Sequence, residues 1–448
     1  MAMIKVSVLT YVKNDVAHIE RCMRSVMAQD LPELEYIVID GGSTDGTRAI
    51  IDRLAGEDNR IRIIESDPGL GHQFNVGVKE AGGEYIGVCE SDDYLLPGMY
   101  SYQYQIAHDN DVDILRADAY DFFTVCGEEK RLSFSLPGVN GLKNRLLSDG
   151  EEKRAISIGV NRFFSGLYRR SFITENELYM NETPGAAYQD NTFAFLTLIN
   201  AKRVFISDYP FYCYKLDNPN ASCNSPERIN MVDVEYKLLK NRLKSRDEWE
   251  KHKEIYVSWL ILNHLWFYNL LNDDGLRNQE IDIFYKALKE IIDVEKLAED
   301  KLRKQDVVFI RAIQTSKEDF TGLVSDTFRK IDKARSDISS INSDKRVIIF
   351  GAGNIGRVVL YALKGRRADV VCFSDNDKRL WGSEIEGVTV KEPAEVFTAE
   401  KNARVVVANV EHNMEIREQL KGYGIKDEQL IICDSYDFTI RKILMEVA

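Results

Sequence analysis

Three carboxylates, Glu90, Asp92 and Asp93, lie within four residues of one another. They directly follow the apolar run 85–89, whose length and composition are typical of a buried strand. Carboxylates crowded at the end of a buried strand repel one another and are poorly solvated, so they favour a cation partner. Mg²⁺ or Mn²⁺, held by one or two carboxylates together with substrate phosphates, meets that need. An isolated acidic triplet would instead be interpreted as a turn capping the next helix, so the surrounding elements decide.

Strands and helices alternate through this first part of the chain. Strands are predicted at 4–10, 36–39, 61–64 and 85–89, with a helix in each interval. Such alternation predicts an α/β domain with a parallel sheet covered on both faces, in which ligands bind beyond the carboxyl ends of the strands. Acids follow three of these strand ends, at Asp40, at Asp67 and in the 90–93 group. We therefore expect these acids to meet at one rim of the sheet and to form a site.

Several segments, in the same order along the chain, resemble the family 2 glycosyltransferases, whose nucleotide-diphospho-sugar transferase domain has the GT-A fold. The segments are VSVLTY, YIVIDGGSTDGT, SDPGLGHQFNVGVKEAGGEYIGVCESDDYLLPG, YQDNTF and PFYCYKLDNPNAS, between Lys5 and Ser222. The resemblance covers about half of the chain. It implies a mainly parallel α/β domain at 1–225 that transfers a sugar from a nucleotide-sugar donor, with UDP as the expected nucleotide.

The resemblance also assigns roles to residues by their position. The donor-binding residues that it implies are Thr10, Tyr11, Lys13, Asp40, Asp67 and Asp92. Asp92 and Asp93 match the carboxylates that hold Mg²⁺ or Mn²⁺ against the diphosphate, and Asp190 matches the catalytic base. Glu90 stands where the family has the first aspartate of its D-x-D motif, and Gln189 replaces the usual glutamate before the base. No histidine occurs between residues 109 and 251, so a third metal ligand from a distal histidine is not evident.

A second candidate site opens the last predicted domain, 343–448. A strand at 347–350 precedes Gly351, Gly353 and Gly356, and Asp375 stands 19 residues after the last glycine. This is the spacing of a dinucleotide fingerprint with its ribose-binding acid. The segment resembles the small Rossmann-like domains appended to sugar-modifying enzymes of bacterial surface polysaccharide pathways, which implies a nucleotide or nucleotide-sugar ligand. A glycine turn without a ligand is the alternative. The intervening segment 226–342 is predicted to be helical, as a structural or acceptor-facing insert.

Charge and composition narrow the function classes. The 448 residues carry a net charge of −13, which argues against non-specific nucleic-acid binding and against a polybasic membrane anchor. Seven scattered cysteines are typical of reduced thiols, and the N-terminus enters a strand too early for a signal peptide. The apolar stretch 256–271 is too short and too polar to span a bilayer. A cytoplasmic protein is expected, with contact to the inner membrane face and homo-oligomer formation left open.

The sequence thus predicts an inverting, metal-dependent glycosyltransferase that moves a sugar to a saccharide or lipid-linked acceptor, in bacterial surface polysaccharide or glycoconjugate synthesis. One alternative is an NAD(P)-dependent nucleotide-sugar oxidoreductase or epimerase centred on the glycine loop, although the Tyr-x-x-x-Lys pair of such enzymes is missing. The other is a non-catalytic nucleotide-sugar-binding scaffold, which would leave the acids without a purpose. Donor sugar, acceptor and linkage do not follow from the sequence, because specificity is expected in residues 121–161 and in the helical insert.

Overall fold

A computed structural model describes residues 3–136, 141–147, 162–221, 228–409 and 412–433. The chain divides into two compact units, one of Met1–Asp121 with Ser133–Gln314 and one of Phe122–Leu132 with Thr315–Ala448. The three domains predicted from the sequence, with boundaries near 225 and 342, stay a prediction. The stretch 148–161, where part of the substrate specificity is expected, and Ser222 lie outside the described residues.

A mixed sheet is the centre of the first unit, although residues Phe122–Leu132 of its strands are grouped with the second unit. Its strands are β1 (Val6–Val12), β2 (Leu34–Asp40), β3 (Ile61–Glu65), β4 (Tyr85–Val88), β5 (Tyr94–Leu95), β6 (Ile114–Val125), β7 (Glu128–Phe134), β8 (Gly166–Arg169) and β9 (Val204–Lys215). In the described chain they follow the order β3-β2-β1-β4-β8-β6-β9-β5, with β7 paired to β6. The four strands β3, β2, β1 and β4 are parallel, as predicted, and β8 and β5 pair antiparallel to their neighbours.

Helices cover this sheet because each has one apolar face. In α1, for example, Ile19, Cys22, Met23 and Val26 are buried, which is the spacing of an amphipathic helix. The helices that connect the strands are α1 (Ile19–Met27), α2 (Thr47–Glu57), α3 (Leu70–Glu80), α4 (Met99–Asp109), α5 (Arg170–Glu175) and α6 (Gln189–Asn200). The predicted helical segment follows as α7 (Met231–Ser245), α8 (Trp249–Leu270), α9 (Asp274–Ile292) and α10 (Lys304–Thr315).

Two parts of the sheet differ from the sequence-based expectation. Apolar runs at 204–206 and 211–216 on either side of Pro210 predict two separate strands, but β9 is continuous through Pro210. The polar region after residue 121, whose sequence has little periodicity, contains the β6–β7 hairpin. Its two-residue turn is Cys126-Gly127, with φ angles of 51° and 79°. Two positive φ angles define the turn type that matches the twist of paired strands, and Cys-Gly is an unusual sequence for it.

A second sheet belongs to the second unit. Its strands are β10 (Arg346–Phe350), β11 (Asp369–Ser374), β12 (Glu384–Ile385), β13 (Val388–Lys391), β14 (Arg404–Val407) and β15 (Leu430–Ile432). Among the described residues their order is β12-β13-β11-β10-β14-β15, with all pairs parallel except β12–β13. The helices are α11 (Lys317–Ser339), α12 (Asn354–Gly365), α13 (Pro393–Ala399) and α14 (Asn413–Gly422). The predicted α/β class, with helical segments and a second, smaller sheet, is confirmed. No helix within the described ranges has the length and apolarity that crossing a membrane requires.

Candidate active site

The rim formed by the ends of β1, β2 and β4 carries Asp40 and the 90–93 group, whereas Asp67, the third acidic position expected there, follows β3 and is exposed. Because these strands are parallel and adjacent, their carboxyl ends lie side by side, with Val12 opposite Asp40 and Leu9 opposite Val88. The 90–93 group directly follows β4. Asp40 is 3% exposed, and its Oδ1 accepts a hydrogen bond from the Ser43 amide at 3.0 Å. The rim therefore brings Asp40 and the 90–93 group to the same edge of the sheet.

Glu90 lies at the centre of this rim. Its Oε1 accepts a hydrogen bond from the Tyr11 hydroxyl at 3.0 Å, which joins the ends of β1 and β4. Burial, together with the charges of Asp92 and Asp190, raises the pKa of Glu90 to about 8. A charge acts on a neighbouring pKa only over a short distance. Asp190, a hundred residues later in the chain, therefore shares the electrostatic environment of Glu90 and Asp92.

Asp92 and Asp93 have different surroundings although they are adjacent. Asp92 is partly exposed, and its Oδ2 accepts a hydrogen bond from Asn218 Nδ2 at 2.6 Å. Asp93 is 1% exposed. Its two oxygens accept hydrogen bonds from the Tyr212 hydroxyl at 2.6 Å and from the Lys215 amide at 2.7 Å. Asp92 thus remains available at the rim, whereas Asp93 ties the loop after β4 to strand β9.

The other residues predicted to bind the donor are placed in different ways. Lys13 and Asp67 are exposed on the surface. Thr10 is fully buried, and its hydroxyl donates to the Cys89 carbonyl at 2.7 Å while it accepts from the Tyr36 hydroxyl at 3.0 Å. The Thr10 side chain therefore connects strands inside the sheet, and its predicted contact with the nucleoside stays a prediction.

Asp190 is positioned by the loop before α6. Gln189, the residue that replaces the expected glutamate, is fully buried, and its side chain forms hydrogen bonds with two residues of this loop. Its Oε1 accepts from the Ala187 amide at 2.6 Å, and its Nε2 donates to Thr183 Oγ1 at 2.8 Å. Asp190 itself is partly exposed, and burial raises its pKa to about 6, with a further upward contribution from the charge of Glu235. A carboxylate with this pKa is ionised at neutral pH and is a stronger base than an ordinary aspartate.

The contribution of Glu235 was not found from the sequence. Glu235 lies on α7, is fully buried and accepts hydrogen bonds from Thr183 Oγ1 and, at 2.7 Å, from Asn181 Nδ2. It occupies the apolar face of its helix, three residues after Val232 and four before Leu239, both of which are buried. The sequence signal that could have revealed it is an acid on the apolar face of a helix. A buried acid is unfavourable without hydrogen-bond partners, so this position predicts such partners.

The side chains at the rim can be compared with the ligands that a divalent metal ion usually has in proteins. The described residues contain no group of three or more His, Cys, Asp or Glu side chains that could hold a metal by themselves. Asp15, which the sequence-based prediction also missed, accepts from the Ser91 hydroxyl at 2.6 Å and contributes another acid beside Asp92. Carboxylate oxygens from one or two residues, completed by phosphate oxygens and water, are the usual ligands of Mg²⁺. The rim therefore fits an ion that is held jointly with a substrate, and it does not fit a closed protein cage.

The glycine loop of the second unit is shaped by close backbone contacts. Gly351 has a φ of 110°, and a Cβ at that position would lie 2.7 Å from the Ala408 carbonyl oxygen. A Cβ at Gly356 would lie 2.0 Å from the Gly351 carbonyl oxygen. The Asp375 carboxylate accepts hydrogen bonds from the amides of Ala352 and Asp377, each at 2.8 Å. These glycines are thus required by the fold itself, and the predicted nucleotide site at Gly351, Gly353, Gly356 and Asp375 stays a prediction.

The first unit has the architecture of the GT-A class, and solved structures agree. The crystal structure of Staphylococcus aureus TarS, residues 1–349 in complex with UDP-GlcNAc, superposes with a TM-score of 0.53 at 19% identity, covering 73% of this chain and 92% of that one. Residues 7–175 match the family described as Glycosyl transferase family 2. This part of the chain is therefore a family 2 glycosyltransferase domain with the GT-A fold, as predicted. Residues 343–432 match the family described as C2185-like, N-terminal.

Two curated relatives illustrate the match. The uncharacterized glycosyltransferase EpsJ of Bacillus subtilis (strain 168) is 29% identical over 232 residues, which cover 50% of this chain and 65% of that protein. The poly(ribitol-phosphate) beta-N-acetylglucosaminyltransferase TarS of Staphylococcus aureus is 24% identical over 275 residues, covering 59% of this chain and 45% of that protein. In both cases the alignment spans less than two thirds of the relative's own length.

Proposed function

We propose that this protein is an inverting, metal-dependent glycosyltransferase that moves a sugar from a UDP-linked donor to a hydroxyl group of a saccharide or lipid-linked acceptor. The observation that carries the proposal is that the charges of Asp92 and Asp190 both act on the buried Glu90, within a chain whose residues 7–175 match the family 2 glycosyltransferases. The UDP-GlcNAc bound in the TarS structure and the glycosyltransferase names of the relatives support a nucleotide-sugar donor. A role in surface polysaccharide or glycoconjugate synthesis is part of this proposal, and the poly(ribitol-phosphate) in the name of the TarS relative supports it.

Asp190 is the proposed general base. Its carboxylate is ionised above about pH 6 and can accept the proton of an acceptor hydroxyl as that hydroxyl attacks the anomeric carbon. Attack from the face opposite to the leaving diphosphate inverts the configuration at that carbon. Gln189 and Glu235 hold the loop before α6, so the carboxylate keeps one position while the acceptor binds.

The donor end of the site is proposed at the neighbouring strand ends. Tyr11 and Asp40 lie at the ends of β1 and β2, where a nucleoside would find an aromatic ring and a hydrogen-bond acceptor. Asp92, with Glu90 beside it, would hold Mg²⁺ or Mn²⁺ together with the donor diphosphate. When bound, such an ion stabilises the negative charge that develops on the departing nucleotide. We assign Asp93 to holding the loop, because both of its oxygens already have protein donors.

The decisive experiment is a donor screen with the purified chain. Nucleotide sugars with different bases and sugars are incubated in EDTA and then with Mn²⁺ restored, and release of the nucleotide is followed with and without saccharide acceptors. Asp190→Asn and Asp92→Asn serve as paired controls, and NMR of the product gives its anomeric configuration. We expect Mn²⁺-dependent release from UDP-sugars and an inverted product. Metal-independent turnover, a retained configuration, or full activity of Asp190→Asn would each contradict the proposal, and consumption of NAD(H) would favour the oxidoreductase alternative.

A further inference from the structure

A polar cavity of about 340 Å³ lies between α5 and α7 of the first unit. One wall is the end of α5 with the two residues that follow it, and the other wall is the end of α7 with the residue after it. This volume is in the range of small-molecule sites, so the cavity has room for a ligand. Every lining residue is polar or charged, and none belongs to the acidic rim: Glu175, Asn176, Glu177, Arg242, Ser245 and Arg246.

The two arginines of the cavity are held in place by backbone carbonyl groups. Arg242 Nη1 donates to the Tyr179 carbonyl at 2.8 Å, and its Nη2 donates to the Glu177 carbonyl. Arg246 Nη1 donates to the Asn176 carbonyl at 3.0 Å. Because these contacts already order two long side chains, less conformational entropy is lost when a ligand binds to them.

The same side chains keep hydrogen-bonding capacity for a ligand. Arg246 Nε lies 3.6 Å from Glu248 Oε2, which is beyond hydrogen-bond distance. Across the cavity, the exposed carboxylates of Glu175 and Glu177 accept no hydrogen bond from the part of the chain that the structure describes. The cavity therefore presents charged donors and charged acceptors to the same enclosed space.

The charges of the lining decide which class of ligand fits. Two arginines and two glutamates give no net charge, so the cavity favours neither an anion nor a cation. A hydroxyl group both donates and accepts hydrogen bonds, and a sugar ring carries several hydroxyl groups side by side. We propose that this cavity binds an uncharged sugar unit of the acceptor through its hydroxyl groups. The assignment to the acceptor rests on the proposed function, whereas the saccharide site follows from the lining.

The position of the cavity favours an acceptor of several sugar units. The segment between α5 and α6 runs beside α7 in the opposite direction, since Arg246 contacts its start at Asn176 and Glu235 contacts Thr183 further along. Arg246 comes eleven positions after Glu235, about 16 Å along an α-helix. The same segment continues to Asp190. A single sugar unit is too small to reach both the cavity and the proposed base, but an oligosaccharide can extend from one to the other.

Binding can be measured without donor and without turnover. The full chain is applied to an array of neutral, acidic and amino-sugar oligosaccharides, and calorimetry gives the affinity for the neutral one that binds best. Glu175→Ala and Arg246→Gln should each weaken binding at least about tenfold, through the loss of a hydrogen bond to a charged group. Ser245→Trp, which places an indole in the cavity and keeps the four charged residues, should abolish binding. The Tm of Glu175→Ala should equal that of the wild type, because this carboxylate has no protein partner among the described residues.

Arg311→Gln is the matched control. Arg311 is an exposed arginine of the same helical segment, bonded to Glu299 at 2.8 Å, and it does not line the cavity. Its substitution should leave saccharide affinity unchanged. Absence of binding to every array member, preference for an acidic oligosaccharide, or wild-type affinity in Ser245→Trp would overturn the proposal. Cavity-dependent binding by a protein that releases no nucleotide in the donor screen would support the saccharide site and contradict the proposed function, so the two can fail separately.

Discussion

Glu235 on helix α7 accepts a hydrogen bond at 2.7 Å from Asn181, a residue 54 positions earlier in the chain. The same carboxylate accepts a hydrogen bond from the Thr183 hydroxyl, and Thr183 Oγ1 in turn accepts one from Gln189 Nε2. The loop that precedes Asp190 is therefore fixed from both sides, by the first residue of its own helix and by a buried acid of the helical segment. The helical segment thus contributes directly to the position of the proposed base.

Replacing Glu235 by Gln tests this contribution. The charge of Glu235 raises the pKa of Asp190, so its removal should lower that pKa and move the acidic limb of the pH–rate profile to lower pH. Turnover should also fall, because charge-assisted hydrogen bonds to the loop become ordinary ones. The profile of kcat against pH checks both effects. Glu254→Gln is the matched control, since Glu254 is 4% exposed on α8 and accepts from the Ala298 amide at 3.1 Å. An acidic limb that stays in place would show that Glu235 serves stability alone.

Asp190→Asn should separate catalysis from donor binding. Loss of a general base lowers turnover by roughly 10²–10⁴-fold, and the isosteric amide leaves the loop contacts of Gln189 intact. Steady-state rates measure the first effect, and calorimetry with UDP in the presence of Mn²⁺ measures donor affinity. We expect the affinity to change little. A parallel loss of UDP affinity would place Asp190 at the donor end and would contradict its role as base.

The wild-type enzyme should lose activity in acid. Burial raises the pKa of Asp190 to about 6, well above that of an ordinary aspartate, and only the ionised form accepts a proton. The rate is therefore maximal above that pKa. Below it, the rate falls by about tenfold for each pH unit. Rates between pH 4.5 and 8 at saturating donor would show this decline. A flat profile down to pH 5 would mean that another group limits the reaction.

The acids of the site could be predicted from the sequence because the strand pattern shows where each strand ends. Residues that directly follow parallel strands lie at the same end of the sheet. Asp40 and the 90–93 group were placed correctly at one rim on this basis. The side of the sheet that Thr10 faces could not be predicted in this way, because every residue of β1 is buried and its pattern shows no alternation. Glu235 was missed for another reason. Its partners are more than forty positions away, and local patterns carry no information about such contacts.

Asp92 and Asp93 should respond differently to the same substitution. Asp93→Asn places an amide where the Tyr212 hydroxyl and the Lys215 amide both require acceptors, which should cost about 1–3 kcal/mol of unfolding free energy. Asp92→Asn should not destabilise the protein, because it removes a charge that repels Glu90 and Asp93. Urea unfolding gives both values, and Mn²⁺-dependent UDP binding should be weakened in Asp92→Asn. Equal destabilisation by the two substitutions would mean that Asp92 is also a structural residue.

Two glycines of the second unit distinguish a nucleotide site from a structural turn. Gly351→Ala should destabilise this unit by roughly 1–3 kcal/mol, because φ is 110° and the new Cβ would approach Ala408 O within 2.7 Å. Gly353→Ala should fold normally, since its Cβ would meet no atom within 4 Å. The fluorescence of Trp381, whose indole donates to the Asp375 carbonyl at 2.8 Å, can follow unfolding of this region.

Gly353 marks the start of α12, where a nucleotide phosphate would approach the backbone most closely. In an Asp92→Asn background, which weakens the proposed donor site, UDP-sugars and NAD(H) are titrated into the protein by calorimetry. If the loop holds a diphosphate, the methyl group of Gly353→Ala occupies the space that the phosphate needs, and the remaining binding should disappear while the fold persists. Unchanged binding in the folded variant, or no binding before the substitution, would leave Gly351 and Gly356 explained by backbone packing alone.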